Sequence, residues 1–313
     1  NCLDVQSFIN AQPISRYQWR VVILCFLIVF LDGLDTAAMG FIAPALSQDW
    51  GIDRASLGPV MSAALIGMVF GALGSGPLAD RFGRKVVLVG AVLLFGAFSL
   101  ASAYSTNVDQ LLVLRFLTGL GLGAGMPNAT TLLSEYTPER KKSLLVTSMF
   151  CGFNLGMAGG GFISAKLIPA FGWHSLLLIG GILPLILAVV LLFWLPESAR
   201  YLVVRNRGTD KVRKTLAPID PKVVAQASSF SVPEQKTVKA RNVFAVIFSG
   251  TYSAGTLLLW LTYFMGLVIV YLLTSWLPTL MRDSGASMEQ AAFIGALFQF
   301  GGVLSAVGVG WAM

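Results

Sequence analysis

The chain has 313 residues, of which 56% are apolar, 33 are glycine and only 12% are charged, against roughly a quarter charged in soluble domains. That leaves too little polar surface to coat a water-soluble body of this size, so disordered, collagen-like and nucleic-acid-binding classes fall away together. The formal charge of +7 does not restore a nucleic-acid partner, because the cations are sorted by loop. Cys2, Cys25 and Cys151 make no disulfide framework, and with His174 as the single histidine neither a metal nor a bound cofactor is expected.

In chain order, eight stretches are long enough to cross about 30 Å of hydrocarbon as helices: 20–46, 56–79, 86–104, 109–134, 143–166, 174–195, 255–280 and 289–313. Their glycines and prolines fit helices packed in lipid, whereas barrel strands would alternate apolar and polar at period two. The predicted fold class is an all-α membrane protein. Glycines four apart, at Gly67/Gly71, Gly119/Gly123, Gly121/Gly125 and in the series Gly152, Gly156, Gly160, predict close helix contacts.

Arg16 and Arg20 precede the first span. Arg81, Arg84 and Lys85 follow the second, and Arg140, Lys141 and Lys142 follow the fourth. Ten more cations lie between the sixth span and the seventh. The opposite side holds Arg54, Lys166 and Arg282. This asymmetry puts the N-terminus and the basic loops on the cytoplasmic side of the membrane. His174 is expected on the opposite surface. The chain divides into an N-terminal six-helix half (1–195), a charged, Pro- and Ser-containing cytoplasmic linker (196–250) and the first two helices of an incomplete second half (251–313). Sliding the chain by 234 positions places Gly67, Val69, Ala72, Gly74 and Gly76 on Gly301, Val303, Ala306, Gly308 and Gly310, a repeat expected of parallel transporter halves.

Three charges lie inside spans, where each costs about 2.5–3.5 kcal/mol: Asp32 and Asp35 in the first and Arg115 in the fourth. Counting rise per residue from the flanking charges puts the three at similar depth, so pairing across the two helices is possible. Asp32 and Asp35 are three apart and share a helical face. Two such carboxylates in a dry setting do not both ionise cheaply, so one is expected to carry a proton. Proton coupling is one reading of this pair, and a fixed salt bridge that packs helices is the other. Arg115 is a candidate ligand for a substrate carboxylate through its planar fork, or the neutralising partner of an aspartate. No phosphate-binding loop or nucleophile-base pair is present, so neither ATP-driven transport nor an enzyme is expected.

The segment Gly76-Pro77-Leu78-Ala79-Asp80-Arg81-Phe82-Gly83-Arg84-Lys85 resembles the loop motif G-x-L-A-D-R-x-G-R-K of the major facilitator superfamily at every defined position. Pro196-Glu197-Ser198-Ala199-Arg200 resembles its PESPR segment, with Ala in place of the second Pro. Asp32 and Asp35 in FLDGLDTAAMGF resemble the DGxD arrangement of the aromatic acid:proton symporters, among which the 4-hydroxybenzoate/protocatechuate transporters are most similar. The resemblance implies two pseudo-symmetric six-helix halves, here ending after the eighth helix. It also implies alternating-access uptake of an aromatic carboxylate with a co-transported proton. A sugar or other organic-anion symporter and a transporter-like sensory receptor remain alternatives. Asp32 and Asp35 would then couple the proton, and Arg115 would bind substrate. Asn154 and Gln299, near mid-membrane, would reach a ring hydroxyl unless they are packing glue between helices, and Tyr263 would stack on the ring unless it packs ordinarily. Gly76, Asp80, Arg81, Gly83 and Arg84 would form a gate latch. The expected partners are the substrate and the lipid bilayer, with the protein a monomer.

Overall fold

The computed structural model describes residues 2–232 and 253–312. Predicted linker positions 233–250, with Pro233, Lys236, Lys239 and Arg241, lie outside the described residues. The first long helix, α2 (Arg16–Trp50), follows a short strand β1 (Cys2–Asp4) and helix α1 (Val5–Ala11). Ser15 and Gln18 close a reciprocal capping box at its start, and Gly51 ends it at φ 62°, a left-handed stop that glycine adopts without strain. At 35 residues it is about 52 Å long, so both ends project beyond a bilayer core. Then come α3 (Gly58–Phe82), α4 (Arg84–Ser102), α5 (Val108–Tyr136), α6 (Glu139–Phe171) and α7 (His174–Trp194).

Seven helices are long and apolar enough to cross a membrane among the described residues, the last being α11 (Ser253–Asp283). An eighth, α12 (Met288–Ala312), runs 25 residues with Glu289 in its first turn. All eight predicted spans coincide with these helices, which extend a few residues further at most ends. The segment after the sixth span is not plain linker. It carries α8 (Ala199–Val204), α9 (Thr209–Leu216), α10 (Pro221–Gln226) and strand β2 (Ser229–Ser231), which pairs in parallel with β1. Val5, Phe8 and Ile9 of α1 share a small buried cluster with Leu202, Val212, Leu216 and Val224, so the N-terminal arm and the linker's first part make one cap.

The bundle is close-packed because glycine removes side chains where helix backbones meet. A Cβ at Gly67 or Gly71 of α3 would sit 2.2 Å from the carbonyl oxygen of Phe116 or Leu120, and one at Gly119 or Gly123 of α5 would sit 2.1 or 2.0 Å from that of Ala64 or Met68. The α3–α5 seam is therefore glycine against backbone from both sides. In α6 the expected series divides: Gly156 is pressed to the Phe30 carbonyl at 1.9 Å, whereas Gly160 meets its nearest neighbour at an ordinary 3.4 Å. The basic loops meet at one end of the bundle, where Gln18 Nε2 donates to the Tyr136 carbonyl at 2.8 Å and the Glu139 amide to Asn10 Oδ1 at 2.9 Å. At the other end Trp173 Nε1 donates to Asp49 Oδ2 at 3.0 Å.

This packing predicts unequal responses to one added methyl. Gly123→Ala forces α3 and α5 apart and costs about 1–3 kcal/mol, lowering the thermal midpoint of the detergent-solubilised protein. Gly74→Ala, which would meet nothing within 4 Å, leaves the midpoint unchanged or raises it. Equal midpoints for the two variants would contradict the seam.

Candidate functional site

The two aspartates of α2 are buried together and treated differently. Asp35 Oδ2 accepts from Arg115 Nη1 at 3.1 Å, and its Oδ1 accepts from the Ser99 hydroxyl of α4 at 2.5 Å. Arg115 is fully buried, and its remaining bonds run to hydroxyls. Nε and Nη2 donate to Ser102 Oγ at 3.3 and 3.2 Å, and Nη2 also reaches Thr118 Oγ1 at 3.2 Å. A guanidinium in lipid needs this many acceptors because water is not available to solvate it. Gly180 of α7 lies alongside, where a Cβ would meet Asp35 Oδ1 and Ser99 Oγ at an ordinary 3.4 Å.

Asp32, one helical turn earlier, is 1% exposed, yet among the described residues neither of its carboxylate oxygens has a hydrogen-bond partner. Its nearest packing includes Gly125 of α5, whose Cβ would come within 3.5 Å of Oδ2. Two acids against one base thus resolve into one paired carboxylate and one without a partner. An ionised group in the second position would carry the full desolvation cost, and a proton on it removes that cost.

Beside the ion pair lies a cavity of about 20 Å³, lined by Asp35, Thr36 and Arg115, by Met39 of α2, by Met61 and Met68 of α3, and by Tyr271 and Ser275 of α11. That is the room of about one water. Other residues singled out in the sequence lie elsewhere. Gln299 of α12 is buried, and its amide nitrogen donates to Thr274 Oγ1 of α11 at 2.6 Å, a bond between helices. Asn154 is half-buried on α6 and does not line this cavity. Tyr263 is 66% exposed, about two turns before Tyr271 on the same helix. Tyr271, Ser99, Ser102 and Thr118 were not singled out in the sequence, although Ser99 and Ser102 share a helical face and Thr118 is one turn from Arg115.

A second constellation occupies the basic end. Gly83 joins α3 to α4 at φ 103°, and a Cβ there would lie 2.3 Å from a Glu197 carboxylate oxygen. Glu197 Oε1 accepts from the amides of Lys85 at 3.1 Å and Ser198 at 2.9 Å, so an acid from beyond α7 caps the open N-terminus of α4. Tyr136 donates to the Glu197 carbonyl at 2.5 Å, and the Ser198 hydroxyl donates to Glu135. Arg84 bridges Asp80 at 3.3 Å and donates to Asn128 Oδ1 of α5 at 3.0 Å. Arg205 Nε donates to the Asp80 carbonyl and the Tyr201 hydroxyl to the Arg81 carbonyl, both at 3.0 Å. The Arg81 guanidinium lies over the Phe82 ring at 5.3 Å. Gly76 has nothing within 4 Å of its would-be Cβ. A cavity of about 610 Å³ opens among Asp80, Arg84, Glu135, Arg200 and Arg205.

Residues 25–313 match the family described as Major Facilitator Superfamily. The 4-hydroxybenzoate transporter PcaK of Pseudomonas putida is 90% identical over 311 residues, covering 99% of this chain and 69% of that protein. A gallate transporter of the same species is 53% identical, covering 99% of this chain and 69% of its own length. Among solved structures, a D-xylose-proton symporter aligns with a TM-score of 0.70 at 18% identity, covering 92% of this chain and 67% of that one; at that identity the likeness concerns the fold. Seven membrane-crossing helices, the loop network around Gly83 and these matches lead to one conclusion: the chain belongs to the major facilitator superfamily.

Proposed function

We propose that the protein is a secondary active transporter that takes up an aromatic carboxylate such as 4-hydroxybenzoate together with a proton. The observation that carries the coupling is the division between Asp32 and Asp35: one acid is held in an ion pair with Arg115, and the other is buried with no partner among the described residues. The substrate class rests on the 90% identity to a 4-hydroxybenzoate transporter.

The geometry supports a sequence of partner exchanges. Arg115, which lines the cavity, makes one hydrogen bond through Nη1, and because that nitrogen carries two hydrogens a second N–H remains for a substrate carboxylate. When the substrate anion arrives, the cluster holds two carboxylates around one guanidinium. A proton on Asp32 holds the cluster of Asp32, Asp35, Arg115 and substrate at one net negative charge instead of two, which lowers the cost of closing the site. One proton with one monoanion moves no net charge. The pH gradient then supplies the drive, rather than the electrical term of about 2.3 kcal/mol per charge per 100 mV.

The two six-helix halves would rock about this site. The domains at 1–195 and 251–313, the inner-membrane location, the cytoplasmic N-terminus, the monomeric state and the absence of a bound cofactor all belong to this reading. In it, Gly76, Asp80, Arg81, Gly83 and Arg84 form the latch at the cytoplasmic end, and Gly83 lets the Glu197 carboxylate reach the first amides of α4.

Two expectations test it in the full-length protein. Asp32→Asn replaces an unpartnered acid by a neutral isostere, so the variant folds normally but loses concentrative uptake of labelled 4-hydroxybenzoate. Asp35→Asn leaves Arg115 without its counter-charge and costs about 3–5 kcal/mol of stability, visible as reduced membrane yield and thermal midpoint. Wild-type accumulation that resists a protonophore, or full accumulation by Asp32→Asn, would refute the coupling. At the latch, Gly83→Ala combines a positive φ with a collision at Glu197 and costs about 1–3 kcal/mol. The double variant Gly83→Ala/Glu197→Ala should lose less than the sum of the two single losses, because the collision is then absent while the strain at positive φ and the lost cap remain; additive losses would refute the contact.

A further inference from the structure

The small cavity beside Arg115 is lined by three kinds of group. The first half contributes the guanidinium with its counter-ion. It also contributes the flexible side chains of Met39, Met61 and Met68. From the second half, α11 contributes Tyr271, and one turn further on Ser275. Met61 and Met68 are seven residues apart on α3 and share a face.

A cationic fork, a thioether wall and a phenol match the parts of one ligand class, a hydroxylated aromatic acid. The remaining Nη1–H of Arg115 takes the carboxylate. Methionine has three rotatable bonds and a polarisable sulfur that contacts ring edges favourably, so it can fill the closed cavity and swing aside when a ring enters. About 20 Å³ holds one water and no ring, which makes a movable wall a requirement. The phenol then remains for a polar group on the ring.

We propose that Tyr271 is the specificity-determining residue that reads the ring hydroxyl of a hydroxylated aromatic acid, whose ring lies against Met39, Met61 and Met68 and whose carboxylate is held by Arg115. This rests on the transport reading above and deepens it. A site built to hydrogen-bond a ligand hydroxyl discriminates against the ligand lacking it. Tyr271→Phe removes the hydroxyl and keeps the shape.

The test measures the KM for labelled 4-hydroxybenzoate and the inhibition constant of unlabelled benzoate in wild type and Tyr271→Phe, in the full-length protein. One lost hydrogen bond corresponds to a KM for 4-hydroxybenzoate about tenfold higher, with inhibition by benzoate unchanged. The benzoate constant doubles as the check that the variant's site is intact. Parallel weakening of both ligands, or no change in either, would overturn the assignment. Tyr271→His, which keeps a hydrogen-bonding ring, is the second variant and should retain a preference for the hydroxylated acid; loss of that preference with benzoate unaffected by both variants would overturn the requirement for a hydrogen bond of this kind. Failure of the transport reading has a different signature, wild-type protein that does not accumulate 4-hydroxybenzoate at all.

Discussion

A guanidinium in the middle of a hydrocarbon layer must find acceptors from the protein, and this need organises the first half of the molecule. Arg115 satisfies it with one carboxylate and two hydroxyls, drawn from three different helices. α2 must therefore approach α4 and α5 closely enough for Asp35 to touch both Ser99 and Arg115. Gly121 of α5 lets that helix press on α4, since a Cβ there would lie 2.7 Å from the Ala91 carbonyl, while Gly180 and Gly125 lie beside Asp35 and Asp32 at ordinary contact distance. Once Asp35 is saturated by Arg115 and Ser99, the neighbouring acid has no cation left to claim. The asymmetry between two aspartates of the same span thus follows from a shortage of positive charge, and a shortage of that kind is what a mobile proton can fill.

The same helix that carries Arg115 also reaches the basic end. Asn128 accepts from Arg84 there, and Glu135 and Tyr136 hold the Ser198 and Glu197 groups. From Arg115 to Asn128 is about 20 Å along α5. One helix thus carries the buried ion pair partway along it and the loop network at one end, with Pro127 and four glycines between them. Glu197 adds a second connection, since its carboxylate caps α4, whose other end supplies Ser99 and Ser102.

The spans were legible in the sequence because length and hydropathy are strong signals, and because α2 shows its ends openly as Ser15 with Gln18 and as Gly51. The pairing of Arg115 with an aspartate was legible from depth alone. Which aspartate it chooses was not, because depth does not encode the rotation of one helix against another. Gln299 looked like a ligand donor and ties α12 to α11, since a polar group at mid-membrane depth looks the same whether it faces a neighbouring helix or a cavity. Tyr263 and Tyr271 differ by about two turns, and only the face turned toward α2 separates them. The cap formed by β1, α1 and the linker was illegible for another reason: its strands are three residues long and depend on a partner more than two hundred positions away.

The contact between α2 and α11 places Tyr271 on the same small cavity as the buried pair. A Cβ at Gly40 would lie 2.6 Å from the Thr274 carbonyl, so the two helix backbones touch there. Gly40 is five residues beyond Asp35, and Thr274 is three beyond Tyr271, so each functional side chain lies within about 8 Å along its helix of the same close contact. Gln299, bonded to Thr274, ties α12 to the same point. The glycine that permits the contact thus brings Tyr271 and Ser275 of the second half onto the cavity that Asp35 and Arg115 of the first half line.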